Sequence, residues 1–218
     1  MERHFDEELK DLNRLILKMG SMVEEAIRKS VEALKKQDKN LAREVIDFDK
    51  EVDDIELEVD ERCIDLLAIR QPVAKDLRFI TTAIRIATDL ERIADLAVDI
   101  AQRAEELSDE PLVKPLIDIP KLTLLAQDMV RNALDSFVKR DIELARSVRN
   151  RDDEADSLRD LVQKELTEIV AKDGSKAKKS IPLLLVARHL ERICDHATNI
   201  AEDVVYMVEG KVIKHRPF

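Results

Sequence analysis

The sequence predicts an all-α protein built as two tandem three-helix bundles, with six long helices. Three observations lead there. A segment recurs one hundred residues apart: Asp89-Leu-Glu91-Arg-Ile-Ala-Asp95-Leu-Ala-Val-Asp99-Ile-Ala and His189-Leu-Glu191-Arg-Ile-Cys-Asp195-His-Ala-Thr-Asn199-Ile-Ala share Leu, Glu, Arg, Ile, Asp, Ala, Ile and Ala without a gap. An internal repeat sets the architecture before any other feature does. Three Gly, one Tyr and no Trp in 218 residues, with plentiful Leu, Ile, Glu, Lys and Ala, describe long helices and few turns. Ser108–Pro120 holds three of the six prolines and marks a boundary between residues 1–110 and 116–218. One mixed six-helix bundle is the alternative, but the repeat stays in phase through each half.

The first helix is expected from about Phe5 to Lys36, with Leu9, Leu12, Ile16, Met19, Val23, Ala26 and Leu34 on its apolar seam. Its outer face carries Glu24–Arg28, Glu25–Lys29 and Glu32–Lys36, opposite charges at i,i+4 in the favourable order. Asp38 is placed to cap a second helix reaching about Ile69. There Asp49, Asp53, Glu56 and Asp60 share one face, while Val52, Ile55, Val59, Cys63 and Leu66 form the core side. Pro72 stops that helix and suits the first turn of the third, which fades near Ser108.

The second half repeats the plan. Helix four covers about Lys121 to Lys139, with Leu125, Met129, Ala133 and Phe137 inward. Helix five follows Asp141: Leu144-Ala-Arg-Ser-Val148 matches Leu41-Ala-Arg-Glu-Val45, and Asp152-Asp-Glu-Ala-Asp156 matches Asp49-Lys-Glu-Val-Asp53. Gly174 is the expected C-cap of helix five, and helix six runs from about Ile181 to Glu209, stopping at Gly210. The tail Lys211–Phe218 carries no readable signal.

Composition narrows the function. Charged residues make up 39% and hydrophobic residues 44%, too apolar for a disordered chain. A net charge of −10 argues against a general nucleic-acid binder and for cationic partners or metal ions. One cysteine per half inside apolar patterns argues against a disulfide framework. With no secretory h-region and no apolar run long enough to span a bilayer, the expected location is the cytoplasm.

The repeated segment carries the chemistry. At about 100° per residue, Glu191, Asp195, Asn199 and Glu202 fall within roughly 80° of arc, as do Glu91, Asp95 and Asp99 in the first copy. Like charges at i,i+4 cost a helix roughly 0.2–0.5 kcal/mol per pair, so something other than helix stability favours them. One acidic stripe by itself reads as a solvated face. Here the stripes are mirrored across each expected hairpin. Asp53 lies nineteen residues before Pro72 and Glu91 nineteen after, while Asp49 and Asp95 are each twenty-three away. Asp156 and Glu191 are centred between Asp173 and Gly174. Asp49/Asp53 with Glu91/Asp95, and Asp152/Asp156 with Glu191/Asp195, therefore form two candidate metal sites. Carboxylate oxygens suit Mg²⁺, Ca²⁺ or Mn²⁺, with carboxylate-bridged iron or zinc as further options. Arg92 and Arg192 offer the same compensation without metal. His189 and His196 have no counterpart in the first half and read as packing or surface residues, as the two cysteines read as core. No Glu-x-x-His, phosphate loop, nucleophile elbow or zincin motif is present, and so no catalytic constellation.

The twin Leu-Glu-Arg-Ile-x-Asp segments, the continuation His-Ala-Thr-Asn-Ile-Ala-Glu, and Arg-Gln-Pro-Val-Ala-Lys-Asp-Leu-Arg at positions 70–78 resemble the PhoU family of phosphate-signalling proteins over almost the whole chain. The resemblance implies two PhoU three-helix bundles. It also implies acidic motifs that hold iron or zinc clusters in some members; here they fall on Asp49/Asp53, Glu91/Asp95, Asp152/Asp156 and Glu191/Asp195, extended by Asp99 and Asn199. It further implies a non-enzymatic adaptor between the phosphate ABC transporter ATPase and a phosphate sensor histidine kinase, acting negatively when phosphate is plentiful. The turn at Arg70, Gln71, Pro72, Asp76 and Arg78 is the expected partner surface, and homodimerisation is left open. The second half departs from the pattern: Ser175-Lys-Ala-Lys-Lys-Ser-Ile-Pro182 replaces the Pro/Asp-Leu-Arg turn, and Arg159 and Gln163 back its acidic motif. A helical scaffold with solvated acidic faces and a carboxylate-bridged metalloenzyme remain the competing expectations.

Overall fold

A computed structural model describes residues 2–212; Met1 and residues 213–218 of the tail lie outside it. Seven α-helices follow one another: α1 Glu2–Lys36, α2 Lys39–Arg70, α3 Ala74–Glu106, α4 Asp118–Lys139, α5 Ile142–Arg149, α6 Asp152–Lys172 and α7 Ala177–Glu209, with one 3₁₀ turn at Gly174–Lys176. Helices α1, α2 and α3 pack as one three-helix bundle, and α4, α5–α6 and α7 as a second.

The repeat extends to the turns. At the end of α1, Gln37 is left-handed (φ 55°), Gln37 N–H donates to Leu34 O and Asp38 N–H to Ala33 O. At the end of α4, Arg140 is left-handed (φ 53°), and Arg140 and Asp141 make the same bonds to Phe137 and Ser136. Each is a Schellman ending without the usual glycine. Asp38 and Asp141 then cap the next helix, accepting from Asn40 and Leu41 N–H and from Leu144 N–H. One residue thus ends one helix and starts the next.

The structure changes several expected boundaries. Helix five is broken in two at Asn150–Arg151. In register with the first half, Arg151 stands where Phe48 packs partly against the core; Arg151, half-buried as well, ion-pairs Glu154 (3.4 Å) and Asp128 of α4 (4.0 Å). Pro72 precedes α3 rather than entering its first turn, between Gln71 and Ala74, both at positive φ. Gly174 opens the 3₁₀ turn; Asp173 is the C-cap and accepts from Ser175 N–H. Helices α4 and α7 also begin earlier than expected, at Asp118 and Ala177.

The two bundles share one continuous apolar core. They meet through α1 against α4 and through α3 against α7. At the first contact, Gly20 lies so close to Leu134 that a Cβ there would collide with Leu134 Cδ1. Nearby Phe79 of α3 and Phe137 of α4 stack with centroids 5.3 Å apart. At the second contact the helices run antiparallel: Arg85 pairs with Asp203 (3.2 Å), Asp89 with His196 (2.8 Å), and Asp99 with His189 (3.7 Å). The linker is bound to both halves: Gln37 donates to the Leu107 and Glu110 carbonyls, and Lys179 pairs with Glu110.

Candidate metal centres

The antiparallel α2–α3 hairpin brings its two acidic rows level. Burial, then the charges of Asp53 and Asp95, push the Asp49 carboxyl up to about 6, so residues from both helices act on one site. Glu91 is held above the ordinary carboxylate range by burial and by Asp95, with Arg92 opposing and Glu56 and Asp53 adding to it. Glu56 is raised by burial, Asp60 and Asp53. Asp49 Oδ1, Asp60 Oδ1 and Glu91 Oε2 are buried and accept no hydrogen bond. Arg92 gives partial compensation: its Nη1 donates to Asp95 (3.1 Å), and its Nε lies 3.3 Å from Glu91 Oε2 at ion-pair distance without hydrogen-bond alignment.

The second cluster assembles between α6 and α7 but is compensated differently. Arg159 donates to Asp156 (2.9 Å) and to Glu191 (3.3 Å) and ion-pairs Asp160 (2.9 Å). Asp152 opens α6 with Asp153 and Glu154, where the helix dipole favours carboxylates by roughly 0.3–1 kcal/mol each. Burial raises Asp152 while a hydrogen bond from Thr198 (3.3 Å) lowers it. Burial first, then neighbouring carboxylates, raise Glu191 and Asp195. In register, Arg159 replaces Glu56 and Gln163 replaces Asp60. The helix break and one charge exchange therefore give the second cluster a cation on α6 and a helix start, where the first has only Arg92 on α3.

The outlying candidates behave differently from the eight central ones. Asp99 turns toward α7 and His189. Asn199 is half-buried, and Thr198 rather than Asn199 touches the cluster. Glu202 leaves the stripe altogether: it is buried against Arg149 of α5 (3.4 Å). The histidines, read from sequence as packing or surface residues, join the two bundles through Asp89 and Asp99. The missed signal was that each His sits seven or ten residues, in repeat register, from an acid on the other copy of the helix. Both cysteines are buried, and burial pushes the Cys63 thiol up to about 12, which keeps it protonated and unsuited to ligation.

The donor chemistry of the first cluster fits a hard or borderline cation: oxygen atoms only, two of them (Asp49 Oδ1 and Glu91 Oε2) buried without a hydrogen bond, and mutual repulsion that a cation would relieve. Level carboxylates are not convergent ones, however. Among the described residues, no three His, Cys, Asp or Glu side chains stand close enough together to hold one ion.

At the α2–α3 turn, two of the five expected partner residues hold the molecule together. Arg70 makes a two-pronged bond to Glu8 of α1 (2.9 and 2.7 Å). Arg78 Nε donates to the Met207 carbonyl near the end of α7 (3.0 Å). Gln71 is exposed, with Pro72 and Asp76 partly so, and exposed Val73 and Leu77 flank them.

Comparison with known proteins agrees with this architecture. The PhoU domain matches twice, over residues 16–104 and 119–204. Phosphate-specific transport system accessory protein PhoU homologs of Aquifex aeolicus and Clostridium acetobutylicum are 41% and 39% identical, each covering 96% of this chain and 95% and 96% of their own lengths. The crystal structure of PhoU from Pseudomonas aeruginosa superposes with a TM-score of 0.91 at 36% identity, over 95% of this chain and 100% of the other. The phosphate transport system regulatory protein PhoU from Streptococcus pneumoniae gives 0.90 at 28% identity, over 96% and 99%.

Proposed function

We propose, from the premise that this chain belongs to the PhoU domain family, that it is a regulatory accessory protein of phosphate-specific transport. The observation that carries this reading is near-full-length likeness to relatives so named. Among the described residues no helix is long and apolar enough to cross a membrane, which suits a protein that works on a transporter from the cytoplasm. The finer reading is a non-catalytic, metal-binding adaptor. It joins the phosphate ABC transporter ATPase to the phosphate sensor histidine kinase and keeps starvation genes off when phosphate is plentiful.

In this reading Asp49, Asp53, Glu91 and Asp95, level but not convergent as they stand, would close on the metal of the first site, and Asp152, Asp156, Glu191 and Asp195 on that of the second. The metal would supply positive charge that locks α2 to α3 and α6 to α7. The protein's own part is to hold eight carboxylates in facing rows, at a standing cost in repulsion. Oxygen-only donors favour Mg²⁺, Mn²⁺, Ca²⁺ or carboxylate-bridged iron over a structural zinc site, which takes sulfur and imidazole. Arg159 makes the first site the stronger.

The test is a deletion strain carrying a reporter of a phosphate-starvation gene, grown in ample phosphate. Derepression is expected, and reporter output equal to wild type would refute the regulatory role. Capture of the transporter ATPase and kinase by the intact protein separates an adaptor from a metalloenzyme. Elemental analysis of protein purified without chelator separates both from a scaffold with solvated acidic faces.

A further inference from the structure

The groove between α6 and α7 has a chemistry that the carboxylate sites do not account for. Its cavity of about 620 Å³ lies within the roughly 300–1,000 Å³ of small-ligand sites. Arg159 and Gln163 line one side, and Arg188 and Arg192, with Leu184 and Leu185, the other. Arg188 and Arg192 are exposed, four residues apart on one face of α7; neither makes a hydrogen bond or ion pair among the described residues, though the Arg192 charge acts to lower the Asp195 carboxyl. The third arginine of this groove is engaged: Arg159 pairs with Glu191, Asp156 and Asp160.

The repeat supplies the contrast. In register, the first half has Glu56 where the second has Arg159, Asp60 where it has Gln163, and Thr88 where it has Arg188. Each exchange makes the second groove more positive, in a chain whose net charge is −10. Paired guanidinium groups with free donors match tetrahedral oxyanions bidentately. Glu191 and Asp195 also line the groove, on either side of Arg192 in sequence, whereas Arg188 and the leucines lie a turn nearer the 3₁₀ turn. The cavity therefore has a cationic end at Arg188 with an apolar stretch beside it, and mixed charge around Arg192.

We infer that this groove binds a small molecule presenting a phosphate group, with Arg188 and Arg192 on the phosphate and Leu184 and Leu185 along the remainder of the ligand. No metal on the carboxylates is required for it.

The test is calorimetric titration of the full chain in chelator with inorganic phosphate and, separately, with a nucleoside triphosphate. Saturable binding of either probe is expected, weakened about tenfold or more in Arg188→Gln/Arg192→Gln and unchanged in Arg62→Gln, which removes an exposed charge from the other bundle. Circular dichroism checks that each variant keeps its helices, and the two single variants, each with a partial loss, serve if the double variant does not. Equal affinity for both probes makes the phosphate group the whole ligand; tighter nucleotide binding adds the apolar wall; both uphold the site. Four results would overturn it: no saturable heat with either probe, binding unchanged by the arginine substitutions, binding only when chelator is omitted, or equal binding of a dicarboxylate such as succinate.

Discussion

Arg159 of α6 reaches Glu191 of α7 at 3.3 Å, placing a guanidinium where the matching position of the first half holds Glu56. The two acidic clusters, alike in their carboxylates, are thus unlike in what already balances them. Arg159→Gln should strengthen metal binding at the second cluster, because the native cation no longer competes. Asp95→Asn should empty mainly the first cluster, and Asp195→Asn the second. Elemental analysis of the three variants after dialysis against the metal checks this. Arg159→Gln holding no more metal than wild type would sink the idea that the arginine and a metal ion are alternatives. Metal at about a hundred times its Kd stabilises the fold by roughly 2.7 kcal/mol per site, so the melting temperatures should follow the occupancies.

Asp49 gives the metal-free protein a pH dependence. Its carboxyl, ordinarily near 3.8, is pushed up to about 6 by burial and by Asp53 and Asp95. A carboxyl whose folded value is raised favours folding while protonated, so its contribution falls as pH rises through about 4 to about 6. In chelator the melting temperature should decline across that window, and Asp49→Asn should flatten the decline. With metal present the trend should reverse, because protons compete with the ion for the same oxygens. Parallel profiles for wild type and Asp49→Asn in chelator would remove Asp49 as the source.

Gly20 is fixed by its neighbour rather than by its own backbone. An alanine there drives its Cβ into Leu134, and overpacking of this kind costs about 1–3 kcal/mol. Gly20→Ala should lower stability by that amount in denaturant unfolding. Leu134→Ala added to it should recover part of the loss, a coupling that a double-mutant cycle isolates. Additive effects would mean that α1 and α4 adjust elsewhere.

Arg78 ties the α2–α3 turn to the end of α7 through the Met207 carbonyl. Arg78→Ala should cost about 0.5–1.5 kcal/mol and speed amide exchange in the last turn of α7. Gln71→Ala with Asp76→Ala leaves that bond in place, and should weaken capture of the transporter ATPase or the kinase if this turn is where they dock. Undiminished capture by that variant would move the partner surface elsewhere.

The six-helix plan was legible because hydrophobic period and repeat agree along the chain. Val52, Ile55, Val59, Cys63 and Leu66 line the inner face of α2 as their spacing requires. The level pairing of Asp49/Asp53 with Glu91/Asp95 was also legible, since in an antiparallel hairpin height follows from distance to the turn. The break before α6 was not: Arg151 takes the place of Phe48 there and finds its partners, Glu154 and Asp128, through packing that spacing does not record.

What the sequence determined by itself is therefore local and periodic: helices, their inner faces, the capping Asp38, and the carboxylate rows on each hairpin. What only the tertiary structure decided is how the two copies meet and how charge is balanced where they do. His189 and His196 were unremarkable in one dimension and become the contacts between α3 and α7, opposite Asp99 and Asp89. Glu202 shares the arc of the stripe and is nevertheless buried against Arg149. The reason is range: a helix face is set by residues three and four apart, whereas a charge's partner is set by whichever distant side chain packing brings within a few ångströms.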